Sequence, residues 1–188
     1  MRIFVAIETS DEMKTALAAM QKELRGVKAD VTWVKPESIH LTLSFLGEVE
    51  ERRIREIVNV CRETSALFRP FTLRLNGSGV FPNLRQPRIL WAGLAGGIDI
   101  LTALQQALES QLTAIRGKAD EKAFHPHITI GRVKTNRNVR ELVARADLYD
   151  VPAISIDVHE VVVMQSELHP SGARYTVQAR APLGAQAS

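Results

Sequence analysis

The sequence has 188 residues, a length that suits one well-buried domain or two small lobes sharing a core. Its hydrophobic fraction of 45% and charged fraction of 24% are those of a globular protein, which excludes the disordered and fibrous classes. The formal net charge of +3 permits an anionic partner without requiring one, because net charge governs solubility and steering rather than a specific ligand.

The cellular setting can be predicted from the cysteine content and from the apolar runs. Cys61 is the one cysteine, so no internal disulfide can form, and no Cys/His zinc-finger spacing is present. Residues 1–8 contain too short an apolar run for a signal peptide, and the longest uncharged stretch, residues 89–98, is about half of what a membrane span needs. We therefore expect a cytoplasmic protein with no membrane partner.

In the first half of the chain, hydrophobic periodicity predicts two helices among five strand segments. The strand segments are residues 2–8, 31–35, 40–46, 71–75 and 79–81, the last two separated by a bulge or turn at Asn76-Gly77. The first helix is capped by Ser10 and ends at Gly26, with an apolar stripe at Met13, Leu17, Met20 and Leu24. The second helix has its stripe at Ile54, Ile57, Val58, Cys61 and Ser65. Cys61 is therefore expected to be a packing residue.

The second half of the chain repeats the first. Four segments match in the same order: residues 2–6 with 88–92, 15–17 with 102–104, 40–43 with 127–130, and 54–58 with 139–143. Strand segments at 153–158, 161–167 and 174–180 complete the second copy, the last two as a hairpin through residues 169–172. Ordered matches at a nearly constant offset indicate a tandem duplication. Residues 93–97 are glycine-rich but lack the ending of a phosphate loop, so a turn is expected there.

This repeat predicts an α+β fold with two pseudo-symmetric lobes from an internal duplication. Each lobe is expected to be a mainly antiparallel sheet with helices packed outside, and an active-site cleft is expected between the lobes. We expect a single bilobal domain over residues 1–188, with repeat halves of about 1–85 and 86–180 and a flexible tail at 184–188.

Each half carries an H-x-T motif on a predicted strand, where alternation puts the histidine and the threonine on one face. A pseudo-two-fold axis between the lobes would bring His40 and His127 together across the cleft. Because the ordinary histidine pKa is about 6.5, one ring can act as a base and the other as an acid, which suits displacement at phosphorus. Thr42 and Thr129 could then donate hydrogen bonds to phosphate oxygens. No metal or cofactor is required.

These motifs and their flanks resemble the two-histidine phosphoesterase superfamily, and within it the RNA 2′,3′-cyclic phosphodiesterases formerly called 2′-5′ RNA ligases. The matching segments are R-I-F-V-A-I from Arg2, H-L-T-L-S-F-L-G from His40, P-H-I-T-I-G-R from Pro126 and S-E-L-H-P-S-G-A-R-Y from Ser166. The resemblance implies that the motif histidines are catalytic and that phosphate is contacted by Thr42, Thr129 and Arg132. Ile130 stands where leucine is commoner, and His125 adds a third histidine, but neither removes a required chemical group.

The function implied by the resemblance is metal-independent hydrolysis of RNA 2′,3′-cyclic phosphate ends to 2′-phosphates, with reversible 2′-5′ joining as a minor activity. The expected partner is an RNA end of this kind or a small cyclic nucleotide, bound by a monomer without an obligate protein partner. As a working assignment, His40 is the acid that protonates the leaving 3′-oxygen, and His127 is the base that activates water.

Other interpretations of the same residues remain open. The motif histidines could be half-buried sheet residues satisfied by hydrogen bonds, or they could chelate a metal together with His125. His125 is otherwise expected at the rim of the cleft. The chain could also be a related esterase acting on a cyclic nucleotide derivative or 2′-5′ oligoadenylate. A non-catalytic module that binds RNA ends is the third alternative.

Two further expectations concern the surroundings of the motifs. The basic run Arg132, Lys134, Arg137 and Arg140 could hold an RNA backbone or form a solvated helix start. Strict alternation turns Arg132 away from His127, so a bulge at Gly131 is needed to return it to the cleft. The aromatic residues Trp33, Phe45 and Trp91 are expected in the core, although one of them could stack a base.

Overall fold

The computed structural model describes residues 1–117, 123–170 and 172–184. The strands are β1 (Arg2–Glu8), β2 (Val31–Trp33), β3 (His40–Glu48), β4 (Phe71–Phe81), β5 (Ile89–Gly96), β6 (His127–Val133), β7 (Ser155–Val158), β8 (Glu160–His169) and β9 (Gly172–Pro182). The helices are α1 (Asp11–Arg25), α2 (Ile54–Ser65), α3 (Ile98–Arg116) and α4 (Val139–Asp147). Ser171 of the predicted hairpin turn and residues 185–188 of the predicted tail lie outside the described residues.

The strands form two sheets, in which every neighbouring pair is antiparallel. The first sheet has the order β3-β1-β8-β9, and the second has the order β2-β6-β5-β4-β7. Helices α2 and α3 pack on the first sheet, and α1 and α4 pack on the second. The predicted α+β class and the mainly antiparallel sheets are therefore confirmed.

The last long strand of each repeat pairs with the first strand of the other repeat. By the sequence match, β1, β3 and β4 of the first half correspond to β5, β6 and β8 of the second. In the sheets, however, β4 pairs with β5, and β8 pairs with β1. The helices cross over as well, because α1 contacts β6 and α3 contacts β3. Both lobes are consequently built from both halves of the chain.

The helices form where the sequence provides apolar stripes, and α1 also has a side-chain cap. Ser10 caps α1 by accepting a hydrogen bond from the backbone N–H of Met13 at 3.2 Å. The predicted stripe of α1 is entirely buried, and so is Cys61 on α2. Burial raises the pKa of the Cys61 thiol to about 12, as expected for a packing residue. Among the described residues, no helix is both long enough and apolar enough to cross a lipid bilayer.

The turn predicted at residues 93–97 is wrong, because β5 continues to Gly96 and α3 begins at Ile98. The glycines of this segment allow close packing against neighbouring backbone. A Cβ at Gly93 would lie 2.3 Å from the backbone oxygen of Asn76, at the bulge of β4. That bulge was predicted at Asn76-Gly77, and the register shift between Leu75 and Ser78 confirms it.

The strand exchange predicts that neither half of the chain folds alone. Residues 1–85 would lose the partners β5 and β7 of β4, and residues 86–188 would lose the partner β1 of β8. We expect each fragment to lack a cooperative thermal transition in circular dichroism, and the mixed fragments to regain one. A cooperative transition in either isolated half would contradict the reciprocal exchange.

Candidate active site

A cleft of about 500 Å³ lies between the two sheets. Its walls include all five residues that the sequence singled out, namely His40 and Thr42 on β3 and His127, Thr129 and Arg132 on β6. The two motif strands also contact each other. The structure thus brings both H-x-T motifs to one space, as the pseudo-two-fold argument requires.

Both motif histidines are held in the same tautomer by backbone hydrogen bonds. Nδ1 of His40 lies 2.7 Å from the carbonyl oxygen of Ser38, and Nδ1 of His127 lies 2.6 Å from that of His125. A carbonyl can only accept a hydrogen bond, so each Nδ1 carries a hydrogen and donates it. In the neutral ring, Nε2 is then the unprotonated nitrogen, available as a base toward a ligand.

Aromatic side chains surround each of the two imidazoles. The His40 ring centroid lies 4.9 Å from that of Phe4 and 5.1 Å from that of Tyr175. The His127 ring meets Phe81 edge-on at 5.0 Å. These contacts remove water from the rings, which favours the neutral form of histidine.

The pKa of both histidines is lowered from the ordinary value for this reason. Burial is the main cause for His40; the hydrogen bond to Ser38 opposes it, and the charge of Arg132 adds to it. Burial is also the main cause for His127, opposed by the His125 carbonyl and reinforced by the charges of His125 and Arg132. Near neutral pH, the free protein therefore presents neutral imidazoles.

A β-bulge follows each H-x-T motif at the same position. In β6, Gly131 pairs with Leu90 and Thr129 pairs with Trp91, so Ile130 is the extra residue. In β3, Ser44 pairs with Val5 and Thr42 with Ala6, so Leu43, the counterpart of Ile130, is extra. A bulge resets the alternation of side chains along a strand. The bulge expected beside Gly131 is present, and Arg132 lies on the cleft wall.

Two buried glutamines hold the bulges. The Nε2 group of Gln21, on α1, donates to the carbonyl oxygen of Ile130 at 2.8 Å and to that of Val34 at 2.7 Å. The Nε2 group of Gln105, on α3, donates to the carbonyl oxygen of Leu43 at 3.2 Å. Sequence reasoning missed both residues, because a glutamine beside an apolar stripe carries no signal until the packing partner of its helix is known.

The cleft is cationic. Arg2, Lys35 and Arg132 line it, and the described residues of its wall include no carboxylate side chain. Such a wall favours an anionic ligand. The other members of the predicted basic run, Lys134, Arg137 and Arg140, are exposed outside the cleft lining.

Phe45 is not in the core, contrary to the prediction. It lines the cleft and is 43% exposed. Strict alternation would put Phe45 on the buried face with Leu41 and Leu43, but the bulge at Leu43 turns it to the face of Thr42. Trp33 also lines the cleft and is half-buried, and Trp91 is half-buried against Gly79.

The position of His125 bears on the metal alternative. His125 is exposed and does not line the cleft; its carbonyl oxygen orients His127, and its ring lies 6.1 Å from that of Phe81. Across residues 1–117, 123–170 and 172–184, no three His, Cys, Asp or Glu side chains are grouped to hold a metal ion. His40, His125 and His127 accordingly do not form the ligand set of the metal alternative.

A family model described as "LigT like Phosphoesterase" matches residues 7–91 and 95–175. The chain is 36% identical over 178 residues to the RNA 2′,3′-cyclic phosphodiesterase of Methanothermobacter thermautotrophicus, covering 93% of this chain and 95% of that protein. The crystal structure of TT0787 of Thermus thermophilus is similar with a TM-score of 0.80 and 28% identity, covering 99% of this chain and 100% of that one. The crystal structure of E. coli LigT complexed with 3′-AMP gives a TM-score of 0.75 and 27% identity, covering 97% of each chain.

The glutamine contacts generate a stability prediction. Replacing Gln21 with the similarly sized Leu removes the donor to two carbonyl oxygens, which should lower the free energy of unfolding by about 1–3 kcal/mol. Urea unfolding would measure this loss. The matched control is Lys22→Leu, which puts the same side chain at the neighbouring exposed position and should change stability by less than about 0.5 kcal/mol. Equal effects would show that the hydrogen bonds of Gln21 do not stabilise the fold.

Proposed function

The chain belongs to the LigT-like phosphoesterase family, and from this premise we propose that it hydrolyses 2′,3′-cyclic phosphates at RNA ends to 2′-phosphates. The observation that carries the proposal is the matched pair of imidazoles and hydroxyls in one cationic cleft. The name of the Methanothermobacter relative supports the RNA cyclic phosphate as substrate. The E. coli LigT complex with 3′-AMP supports a cleft that admits a nucleotide, so small cyclic nucleotides belong to the same substrate class.

His127 is the base in this mechanism, and His40 is the acid. Nε2 of His127 takes a proton from a water molecule, whose oxygen attacks phosphorus. The bond between phosphorus and the 3′-oxygen breaks, and Nε2 of His40 gives its proton to that oxygen, leaving the phosphate on the 2′-oxygen. The charge of the neighbouring His125 lowers the pKa of His127 further, which suits the residue that must be neutral.

The acid must carry a proton, although burial lowers the pKa of His40 in the free protein. The negative charge of the bound phosphate counteracts this, because an anion beside an imidazole favours imidazolium. Substrate binding itself therefore prepares the acid. The hydroxyls of Thr42 and Thr129 and the guanidinium of Arg132 stabilise the charge on the phosphate oxygens, and loss of one such donor costs roughly 10²- to 10³-fold in rate.

The same groups would carry out 2′-5′ joining when the 5′-hydroxyl of a second RNA replaces water as the nucleophile. The chemistry differs only in the group that loses its proton to His127. Both histidines come from one chain, so the mechanism requires no protein partner and is compatible with a cytoplasmic monomer.

The first test is turnover of an oligoribonucleotide with a 2′,3′-cyclic phosphate end. We expect a 2′-phosphate product at a rate that excess chelator leaves unchanged. His40→Ala and His127→Ala should each lower kcat by roughly 10²- to 10⁴-fold with the fold retained. His159→Ala, at an exposed position outside the cleft lining, is the control. A 3′-phosphate product would contradict the mechanism. Wild-type turnover by either His40→Ala or His127→Ala would contradict it as well.

The second test is the pH profile of kcat/KM. The active form has one neutral and one protonated imidazole, so the optimum lies midway between the two pKa values of the free enzyme. Both pKa values are lowered from 6.5, and the optimum is therefore expected below pH 6.5. Arg132→Gln removes a charge that disfavours both imidazoliums, so both pKa values rise and the weakened activity peaks at higher pH. An unshifted optimum would show that Arg132 does not act on the histidines.

A further inference from the structure

Arg2 and Ser166 lie side by side on the cleft wall but have no role in the proposed mechanism. Arg2 is on β1 and Ser166 is on β8, and both are half-buried. We propose that they bind the phosphodiester group on the 5′ side of the nucleotide that carries the cyclic phosphate. This inference rests on the proposed function, and it selects an RNA end over a small cyclic nucleotide as the preferred substrate.

The two side chains are neighbours on one face of the first sheet. Arg2 and Ser166 are directly opposite each other in the antiparallel ladder of β1 and β8. Residues in this relation project from the same side of the sheet, with Cβ atoms roughly 5 Å apart. A guanidinium and a hydroxyl on adjacent strands can therefore donate hydrogen bonds to the oxygens of one phosphodiester.

The polar groups of both residues are available for an anion. Arg2 is paired with Glu48 in the ladder of β1 and β3, but it forms no ion pair with any carboxylate that the structure describes. Glu167, the residue after Ser166, lies on the other face of β8, where it accepts a hydrogen bond from Gln165 at 3.2 Å. Its negative charge is therefore directed away from the proposed subsite.

The ring of Phe45 holds the Arg2 guanidinium over the cleft. The Cζ atom of Arg2 is 5.2 Å from the centroid of that ring. The backbone under the ring is fixed in turn, because Nη1 of Arg116 donates to the carbonyl oxygen of Phe45 at 3.1 Å. A cation that is positioned in advance loses little conformational entropy when an anion binds.

The position of Arg2 suits the phosphodiester next to the reacting phosphate. Arg2 and Phe4 lie on the same face of β1, roughly 7 Å apart along the strand. The ring of Phe4 is packed on that of His40, with 4.9 Å between the centroids. Arg2 is therefore the next cationic position outward from His40 on the first sheet, as the phosphodiester is the next charge along the RNA.

The repeat assigns this subsite to the first lobe. Arg88 is the counterpart of Arg2, 88 − 2 = 86 residues later. It is exposed outside the cleft lining, with Nη1 3.5 Å from the carbonyl oxygen of Lys134. An RNA that leaves the reaction centre is therefore directed over the first lobe.

The test compares three substrates: adenosine 2′,3′-cyclic phosphate, the same nucleotide with a 5′-phosphate, and the adenosine dinucleotide that ends in a cyclic phosphate. The last two carry an anion where the proposed subsite binds one. For the wild-type protein, we expect KM for these two to be about 5- to 50-fold lower than KM for the first, as for a charged hydrogen bond. Arg2→Gln should abolish this difference.

Further variants separate the charge of Arg2 from its packing. Arg2→Lys keeps the charge and should retain most of the difference, whereas Ser166→Ala should reduce it about 2- to 10-fold. For the dinucleotide, the salt dependence of log(1/KM) should weaken by a slope of about 0.7 in Arg2→Gln, as for the loss of one phosphate contact. The matched control is Arg88→Gln, which removes the repeat-equivalent arginine outside the cleft and should leave all three KM values unchanged.

Equal effects of Arg2→Gln on all three substrates would overturn the proposal, because a loss of packing does not distinguish them. The proposed function fails separately, when wild-type protein turns over none of the substrates. The subsite is then judged by calorimetry with adenosine 2′-monophosphate and adenosine 2′,5′-bisphosphate. A wild-type preference for the bisphosphate that is lost in Arg2→Gln supports the subsite. Equal wild-type affinities, or a preference that persists in Arg2→Gln, overturn it.

Discussion

The β-bulge after each H-x-T motif is the constraint on which the cleft depends. A regular strand would turn Arg132 and Phe45 toward the core, leaving two cleft-facing side chains per motif. The extra residue resets the alternation, so Arg132 joins His127 and Thr129, and Phe45 joins His40 and Thr42. The displaced backbone must still be satisfied, and the amides of Gln21 and Gln105 do this from the helices packed behind.

The strand and helix exchange connects this local geometry to the whole fold. Each bulge belongs to one repeat, and the glutamine that holds it comes from the other. The cleft therefore exists only when both halves are assembled, and strands of both sheets line it. The same assembly packs aromatic rings around the imidazoles, and this burial lowers the pKa of both histidines.

The sequence predicted the parts of this structure that are local or repeated. Strand alternation, the Ser10 cap and the repeat located most of the elements and placed His40 and His127 in one cleft. The strand exchange was invisible, because a repeat shows which segments are equivalent and not which ones pair. Phe45 was assigned to the wrong face, because side-chain alternation holds only until a bulge occurs. The bulge at Leu43 could not be predicted, because no glycine lies beside it in the sequence. Gln21 and Gln105 depend on long-range packing in the same way.

The pseudo-two-fold axis has a stereochemical consequence. Two histidines in the same tautomer, each beside a threonine, form a reaction centre that a half-turn would map onto itself. A cyclic phosphate has two ester oxygens and could enter such a centre in either of two orientations, each releasing a different oxygen. The cleft departs from this symmetry at the positions after the bulges, where one lobe carries a cation and the other an aromatic ring. In the proposed mechanism, this unequal pair is a source of regioselectivity, whereas the symmetric groups supply the rate.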